Sequence, residues 1–250
     1  MKGFKRPYWR FLPDRGGKAK RRAKNAPLGR FFTFLIFMKD ENEKGSIMRE
    51  RNKTIRNLAL SAIMSALGYA LMLIQVPLPF MPAFIQLDFS DLPALLTSFS
   101  CGPIWGVLVS LIKNALHLFN SGTMGIGELS NFIIASVFVL TAGLIYSKKK
   151  SKKGALIASL AGAVTAGVIC VFTNYLLIYP LYFKFLMPEG AILGMYQDKL
   201  SSVNSIFLCL VIFNLPFTVC KELLVALITF VIYKPLSPVL HGRKSGRRAV

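Results

Sequence analysis

Histidine is almost missing from this chain, which holds only His117 and His241. There is no H-E-x-x-H helix to hold a catalytic zinc and no G-x-S-x-G elbow to carry a nucleophile. No Walker A loop is present, so uphill movement of a solute would need ATP hydrolysis by another chain, or an ion gradient. The two halves show no evident repeat, which argues against a typical secondary transporter. Cysteine is sparse: Cys101, Cys170, Cys209 and Cys220 are scattered through apolar stretches, and none forms C-x-x-C. They read as small membrane-core hydrophobes, with no metal site. Acidic residues are few as well, 11 against 31 Lys and Arg, a net charge of +20.

What the chain does have is apolar length. It is 54% hydrophobic with a mean hydropathy of +0.52 despite that charge. Apolar runs near 20 residues recur, the length that spans a bilayer, and a soluble basic protein would not show them. The reading is an all-α integral membrane protein of the cell membrane, a single bundle of six transmembrane helices. The expected segments are 53–76, 89–100, a third from the Gly102-Pro103 hinge to 119, then 128–146, 155–179 and 205–233. The lead, the KKKSKK loop (Lys148–Lys153) and the tail are strongly basic, whereas 77–88 and 120–127 carry no Lys or Arg. The loop 180–204 has Lys184 and Lys199, offset by Glu189 and Asp198. With six helices and both termini cytoplasmic, every basic segment lies inside.

The membrane domain is expected over 48–240, with a basic cytoplasmic tail at 241–250. Residues 1–47 form a basic extension around KAKRRAK at Lys18–Lys24. That extension reads as a disordered tail, as a basic arm for anionic lipid or RNA, or as sequence upstream of a true start at Met48. No nucleic acid is expected as a partner; the bilayer is.

The polar residues inside the apolar runs need a reason, because charge in hydrocarbon costs about 2.5–3.5 kcal/mol or more per residue. The loop after the first helix holds Pro77, Pro79 and Pro82, yet is apolar through Leu78, Phe80, Met81, Phe84 and Ile85. Such a loop suits a lid over an apolar ligand, or a segment at the lipid interface. Asp88 or Ser90 can cap the second helix, with Asp91 in its first turn, and capping is the plain alternative to a ligand role. Lys113, Asn114 and His117 follow on the third helix, and Glu128 and Asn131 lie one turn apart on the fourth.

Asn214, Thr218 and Lys221 stand at i, i+4 and i+7, so they share a helical stripe. Lys221 is too deep to snorkel easily, and Asn174 approaches from the fifth helix. Amides and a lysine with aromatic walls drawn from Phe80, Phe84, Phe132, Tyr175 and Tyr179 suit a flat, hydrogen-bonding heterocycle; alternatively they pair with one another and hold the bundle together. Lys221 and Glu222, about 100° apart on a helix, make a poor acid–base pair, though an intramembrane enzyme using both is the alternative from another class. Ala62 and Ala66 form a small-xxx-small pair that serves either bundle packing or close approach by a partner helix.

Five ordered blocks, PLPFMPAFIQLDFSDLPALL, GPIWGVLVSLIKNALH, GIGELSNF, NYLLIYPLY and LPFTVCKELL, resemble the S components of energy-coupling factor (ECF) vitamin transporters, most closely the riboflavin-specific type. The resemblance covers about 51–233. It implies six helices, capture of riboflavin from outside under the first external loop, and docking on a membrane coupling subunit with two ATPases. The chain itself would be no enzyme, and riboflavin would be cargo, with no cofactor. Asn174 and Lys221 match ligand residues of the family, whereas Thr218 stands where asparagine is expected. Asn214, one turn outward, is then a candidate for the missing amide. Leu78, Pro79, Met81, Asp88, Gly127, Glu128 and Asn131 complete the expected ligand set, and Ala62 and Ala66 match the docking surface. The change at 218 leaves an S component for another vitamin or heterocycle as the alternative.

Overall fold

Prolines and glycines decide where the helices of this chain stop and bend. The computed structural model describes the backbone of residues 27–241 and the side chains of residues 48 and 50–232. The expectations for the extension 1–47 and the tail 241–250 therefore concern residues outside the described side chains. The chain divides into two compact units, Met1–Arg56 and Asn57–Val250. In the first, the Thr54 hydroxyl donates to the Glu50 carbonyl at 3.0 Å, one turn back along the helix. The site described below belongs to the second.

Helix α1 spans Pro27–Met72, so the helix expected from 53 is the end of a longer one. It stops five residues short of Pro77. Two-residue strands follow, β1 (Val76–Pro77) and β2 (Gln86–Leu87), paired antiparallel with Val76 opposite Leu87. Among the described residues the fold is helical except for this clasp, which draws the two ends of the proline-rich loop together. The expected loop did not include it, since two residues are too few to show alternation.

Helix α2 (Asp91–Cys101) and helix α3 (Pro103–His117) meet at Gly102, whose φ of 114° lies in the region that favours glycine. Pro103 opens α3 where its missing N–H is an orphan anyway. A 3-10 turn (Leu118–Asn120) leads to helix α4 (Ile126–Lys148). The side chain of Ser151 then caps helix α5 (Lys152–Thr173), accepting from the Gly154 N–H at 2.9 Å.

Two prolines in the second half do not end helices. A π-helical turn (Asn174–Ile178) joins α5 to helix α6 (Tyr179–Phe185), and the Tyr179 N–H bonds to the Asn174 carbonyl five residues back. A second π turn (Leu210–Asn214) joins helix α8 (Ile206–Cys209) to helix α9 (Leu215–His241). Proline removes one intrahelical bond and clashes with the carbonyl four residues earlier. Widening the turn just before Pro180 and Pro216 relieves that clash. The fifth segment, expected to stop at 179, therefore runs on to Phe185. The loop beyond it holds helix α7 (Glu189–Gln197).

Among the described residues, four stretches are long and apolar enough to cross a membrane: Glu50–Met72, Ile126–Lys148, Lys152–Phe185 and Ile206–Ile232. Helices α2 and α3, with 11 and 15 residues, fall short of the about 20 that span the hydrocarbon core. The core shows why small residues matter here. In lipid, helices associate through close packing rather than by escaping water. Along α5, Ala158, Gly162, Ala163, Ala166 and Gly167 are buried. A β-carbon on Gly167 would come within 2.5 Å of Val219 on α9. On α4, one at Gly143 would come within 2.2 Å of the Ser98 hydroxyl, which donates to the Val139 carbonyl at 2.7 Å. Leu95, Val109, Phe138 and Val225 fill the space between these helices. A second cluster, with Ile178, Tyr179, Ile192 and Leu210, lies around the two π turns.

Candidate functional site

The deepest polar feature is a cluster of buried charges. Lys113 on α3 and Asp91 on α2 are fully buried and lie 2.6 Å apart, and the Lys113 ammonium also donates to the Ser90 hydroxyl. Lys221 on α9 lies 3.0 Å from Asp88 and 3.2 Å from Asp91. Its ammonium reaches the Asn131 side-chain oxygen at 3.5 Å. Glu222 is also fully buried, and neither of its oxygens has a hydrogen-bond partner among the described residues. Two lysines thus face three carboxyls. Burial opposes ionisation of Asp88, but the Lys221 and Lys113 ammoniums beside it hold its carboxyl well below the ordinary carboxylate range.

Beside this cluster lies a cavity of about 580 Å³, within the range that holds a drug-sized ligand. Its floor carries Asp88, Asn131, Thr218, Lys221 and Glu222. One wall is formed by the π turns. Asn174 accepts from the Ser130 hydroxyl at 2.8 Å and donates to the Cys170 sulfur at 3.3 Å. Thr218 donates to the same sulfur at 3.4 Å. Phe84, Tyr179 and Tyr182 supply aromatic surface. At another edge His117 Nδ1 lies 2.8 Å from Glu128 Oε1, and Ser121 and Thr123 donate to Oε2 at 2.8 and 3.2 Å.

Of the residues singled out in the sequence, Asp88, Gly127, Glu128, Asn131, Asn174, Asn214, Thr218 and Lys221 line this one cavity. Leu78 and Met81 do not. They line a separate, apolar cavity of about 500 Å³ that shares Phe217 and Lys221 with the first, and Pro79 lines neither. An apolar loop residue signals only that it will be buried somewhere; Met81 is buried and lines that second cavity together with Pro216, Cys220 and Leu224 of α9. Capping does not account for Asp88 either. Ser90 is the cap residue of α2 and makes no side-chain cap, whereas Asp88 accepts from the Ser90 N–H and pairs with Lys221. Asn214 is not free to replace an amide at 218. Its oxygen accepts from the Tyr196 hydroxyl at 2.7 Å, and Tyr196 shares a 2.5 Å hydrogen bond with Tyr179. Lys221 pairs with carboxyls from the loop and α2, not with Glu222, so the acid–base alternative has no geometry. Ala62 and Ala66 lie on the exposed face of α1.

Of the expected aromatic walls, Phe84 and Tyr179 line the cavity and Phe132 and Tyr175 do not; the lining also includes Tyr182 and Phe217, which the sequence reading did not name, and His117 and Glu222, which it named without assigning them to the ligand. A charge deep in an apolar helix was the available signal for Glu222; for the aromatic residues there was none beyond abundance.

The family model for the substrate-specific component of ECF transporters matches residues 56–233. The chain belongs to this family. The S component's relatives include the riboflavin transporter RibU of Staphylococcus aureus (strain TCH60), 29% identical over 80% of this chain and 98% of that one. The riboflavin transporter FmnP of Bacillus subtilis (strain 168) is 28% identical over 76% and 97%. A solved S component of a bacterial ECF transporter superposes with a TM-score of 0.60 at 28% identity, covering 75% of this chain and 98% of that chain. The family expected from the five sequence blocks is the one found, and its apolar helices make this S component a multi-pass membrane protein of the cell membrane.

Proposed function

We propose that this S component captures riboflavin from outside the cell and delivers it inward with an ATP-driven ECF module. The observation that carries the reading is the cavity of about 580 Å³, with Lys221, Asn131 and Asn174 on its polar side and Phe84, Tyr179 and Tyr182 on its aromatic side. An isoalloxazine is flat, apolar on both faces and ringed with hydrogen-bond acceptors, and such a lining complements it. Relatives named as riboflavin transporters over nearly their whole length support the same ligand. In this reading α2 and α3 complete a six-helix bundle with both termini in the cytoplasm, and the loop closed by β1 and β2 covers the ligand from outside. Leu78, Pro79 and Met81 then act through the shape of that loop. Riboflavin is cargo, and no cofactor is part of the proposal. ATP hydrolysis belongs to two partner ATPases, and a membrane coupling subunit docks on the outward face of α1 that carries Ala62 and Ala66.

The test is purification without added vitamin, followed by titration with riboflavin, FMN and unrelated vitamins. Flavin absorbance in the purified protein, or saturable binding selective for riboflavin, is the expected result. Tight binding of an unrelated vitamin with none of riboflavin overturns the reading.

A further inference from the structure

Glu222 is the one member of the buried charge cluster that this reading leaves without a task. Its side chain is fully buried and lines the cavity, and both carboxyl oxygens lack a hydrogen-bond partner among the described residues. Buried polar groups are nearly always satisfied, and an exception calls for a specific cause. Packing supplies none, because an isosteric apolar residue would fill the same space without that desolvation penalty. The nearby cations are committed elsewhere: Lys113 to Asp91 and Ser90, and Lys221 to Asp88 and Asp91.

The floor therefore presents two kinds of group side by side. Lys221 and the amide nitrogen of Asn131 are donors, and the Glu222 carboxyl has unused acceptor capacity. Residues 221 and 222 diverge by about 100° on a helix, yet both line the same cavity, so the two groups meet a ligand from different directions. The imide edge of an isoalloxazine reads acceptor, donor, acceptor: a carbonyl, an N–H, a carbonyl. We propose that Glu222 is a specificity-determining residue whose carboxyl accepts the imide N–H of the bound flavin, beside a carbonyl that receives the Lys221 ammonium. The assignment rests on the proposed flavin ligand. It distinguishes flavin from heterocycles of similar area that lack an N–H at that edge, because such a ligand would leave the carboxyl unpaired.

The experiment titrates the full chain in detergent, by flavin fluorescence, with riboflavin and with its N3-methyl derivative, in which the imide hydrogen is replaced. Wild type, Glu222→Gln and Glu222→Leu are compared. The wild type binds the methylated ligand about 10-fold or more weakly than riboflavin, in line with one unpaired buried group. Glu222→Leu binds riboflavin weakly by a similar factor and no longer discriminates the two ligands. Glu222→Gln, which keeps a carbonyl acceptor, stays within a few-fold of wild type and still discriminates. Equal affinity of wild type for the two ligands overturns the proposal without any variant having to fold. Discrimination that persists unchanged in Glu222→Leu overturns it too. Wild type that binds other vitamins and no flavin overturns the ligand assignment, and this inference with it.

Discussion

Replacing Lys221 by methionine separates its two roles. From composition alone, removing a charge from a membrane helix should help insertion. The structure reverses that expectation. Lys221 is the lysine within ion-pairing distance of Asp88, at 3.0 Å, and it also flanks Asp91 at 3.2 Å. Asp91 retains Lys113 at 2.6 Å in the variant, whereas Asp88 retains the backbone N–H of Ser90 and no ion-pair partner within 4 Å among the described residues. Breaking a buried pair from one side typically costs about 3–5 kcal/mol, because a charge stays buried alone. For a domain of this size that is a fall in Tm on the order of 10 °C. The expected outcome is that Lys221→Met is markedly less stable in a thermal unfolding assay of detergent-purified protein. Adding Asp88→Asn removes the stranded charge and keeps an acceptor for Ser90, so the double variant returns to within about 1 kcal/mol of wild type. It should still bind riboflavin about 5- to 150-fold more weakly, since the donor is gone. Equal stability of wild type and Lys221→Met, or no recovery on adding Asp88→Asn, refutes the ion-pair argument. A recovered double variant with wild-type affinity shows that Lys221 is structural only.

Thr218→Asn should bind riboflavin as tightly as wild type or up to about 10-fold tighter, because Asn214 is tied to Tyr196 and leaves an amide wanting; weaker binding in the same titration argues against it. Gly143→Ala should lower stability by about 1–3 kcal/mol in thermal unfolding, since the added carbon meets the Ser98 hydroxyl and Pro103; an unchanged Tm would show that α2 and α4 yield there. Ala62→Trp or Ala66→Trp should leave vitamin binding intact and abolish uptake in cells by blocking close helix approach; uptake that survives both moves the docking surface elsewhere.

The sequence was most legible where the physics is local. Apolar runs of bilayer length mark helices whatever they pack against, so the four long apolar spans, Glu50–Met72, Ile126–Lys148, Lys152–Phe185 and Ile206–Ile232, each begin within a turn of the expected position. The cavity residues were legible in the same sense: a polar or charged side chain in such a run must face something other than lipid, and Asn131, Asn174, Thr218 and Lys221 do. The partners were not legible. Asp88 and Lys221 are separated by 133 residues, and nothing in periodicity says which buried acid meets which buried lysine. Hence Asp88 looked like a helix cap and Lys221 like a free donor. Leu78 and Met81 illustrate the same limit for apolar residues, whose burial is predictable and whose neighbours are not.

Pro180 and Pro216 mark the harder boundary between local and global. Proline in a helix forfeits one backbone bond wherever it falls, and a sequence reading takes that as a stop. Here each proline follows a π turn, and each π turn holds an asparagine that lines the cavity, Asn174 at the start of one and Asn214 at the end of the other. The two features are linked. A π turn gives up regular bonding that the proline has already broken, so the widened turn costs less there than in an unbroken helix. Irregular backbone at membrane depth is tolerated where it is buried in protein or lines a cavity, and these two turns do so from facing helices. The inserted residue also advances the phase of every side chain beyond it by about 100°. Thr218 and Lys221 point into the cavity with that offset already built in. The polar wall of the site is therefore set by backbone geometry as much as by residue identity. Substituting either proline would test the register of that wall before it tested any contact to the ligand.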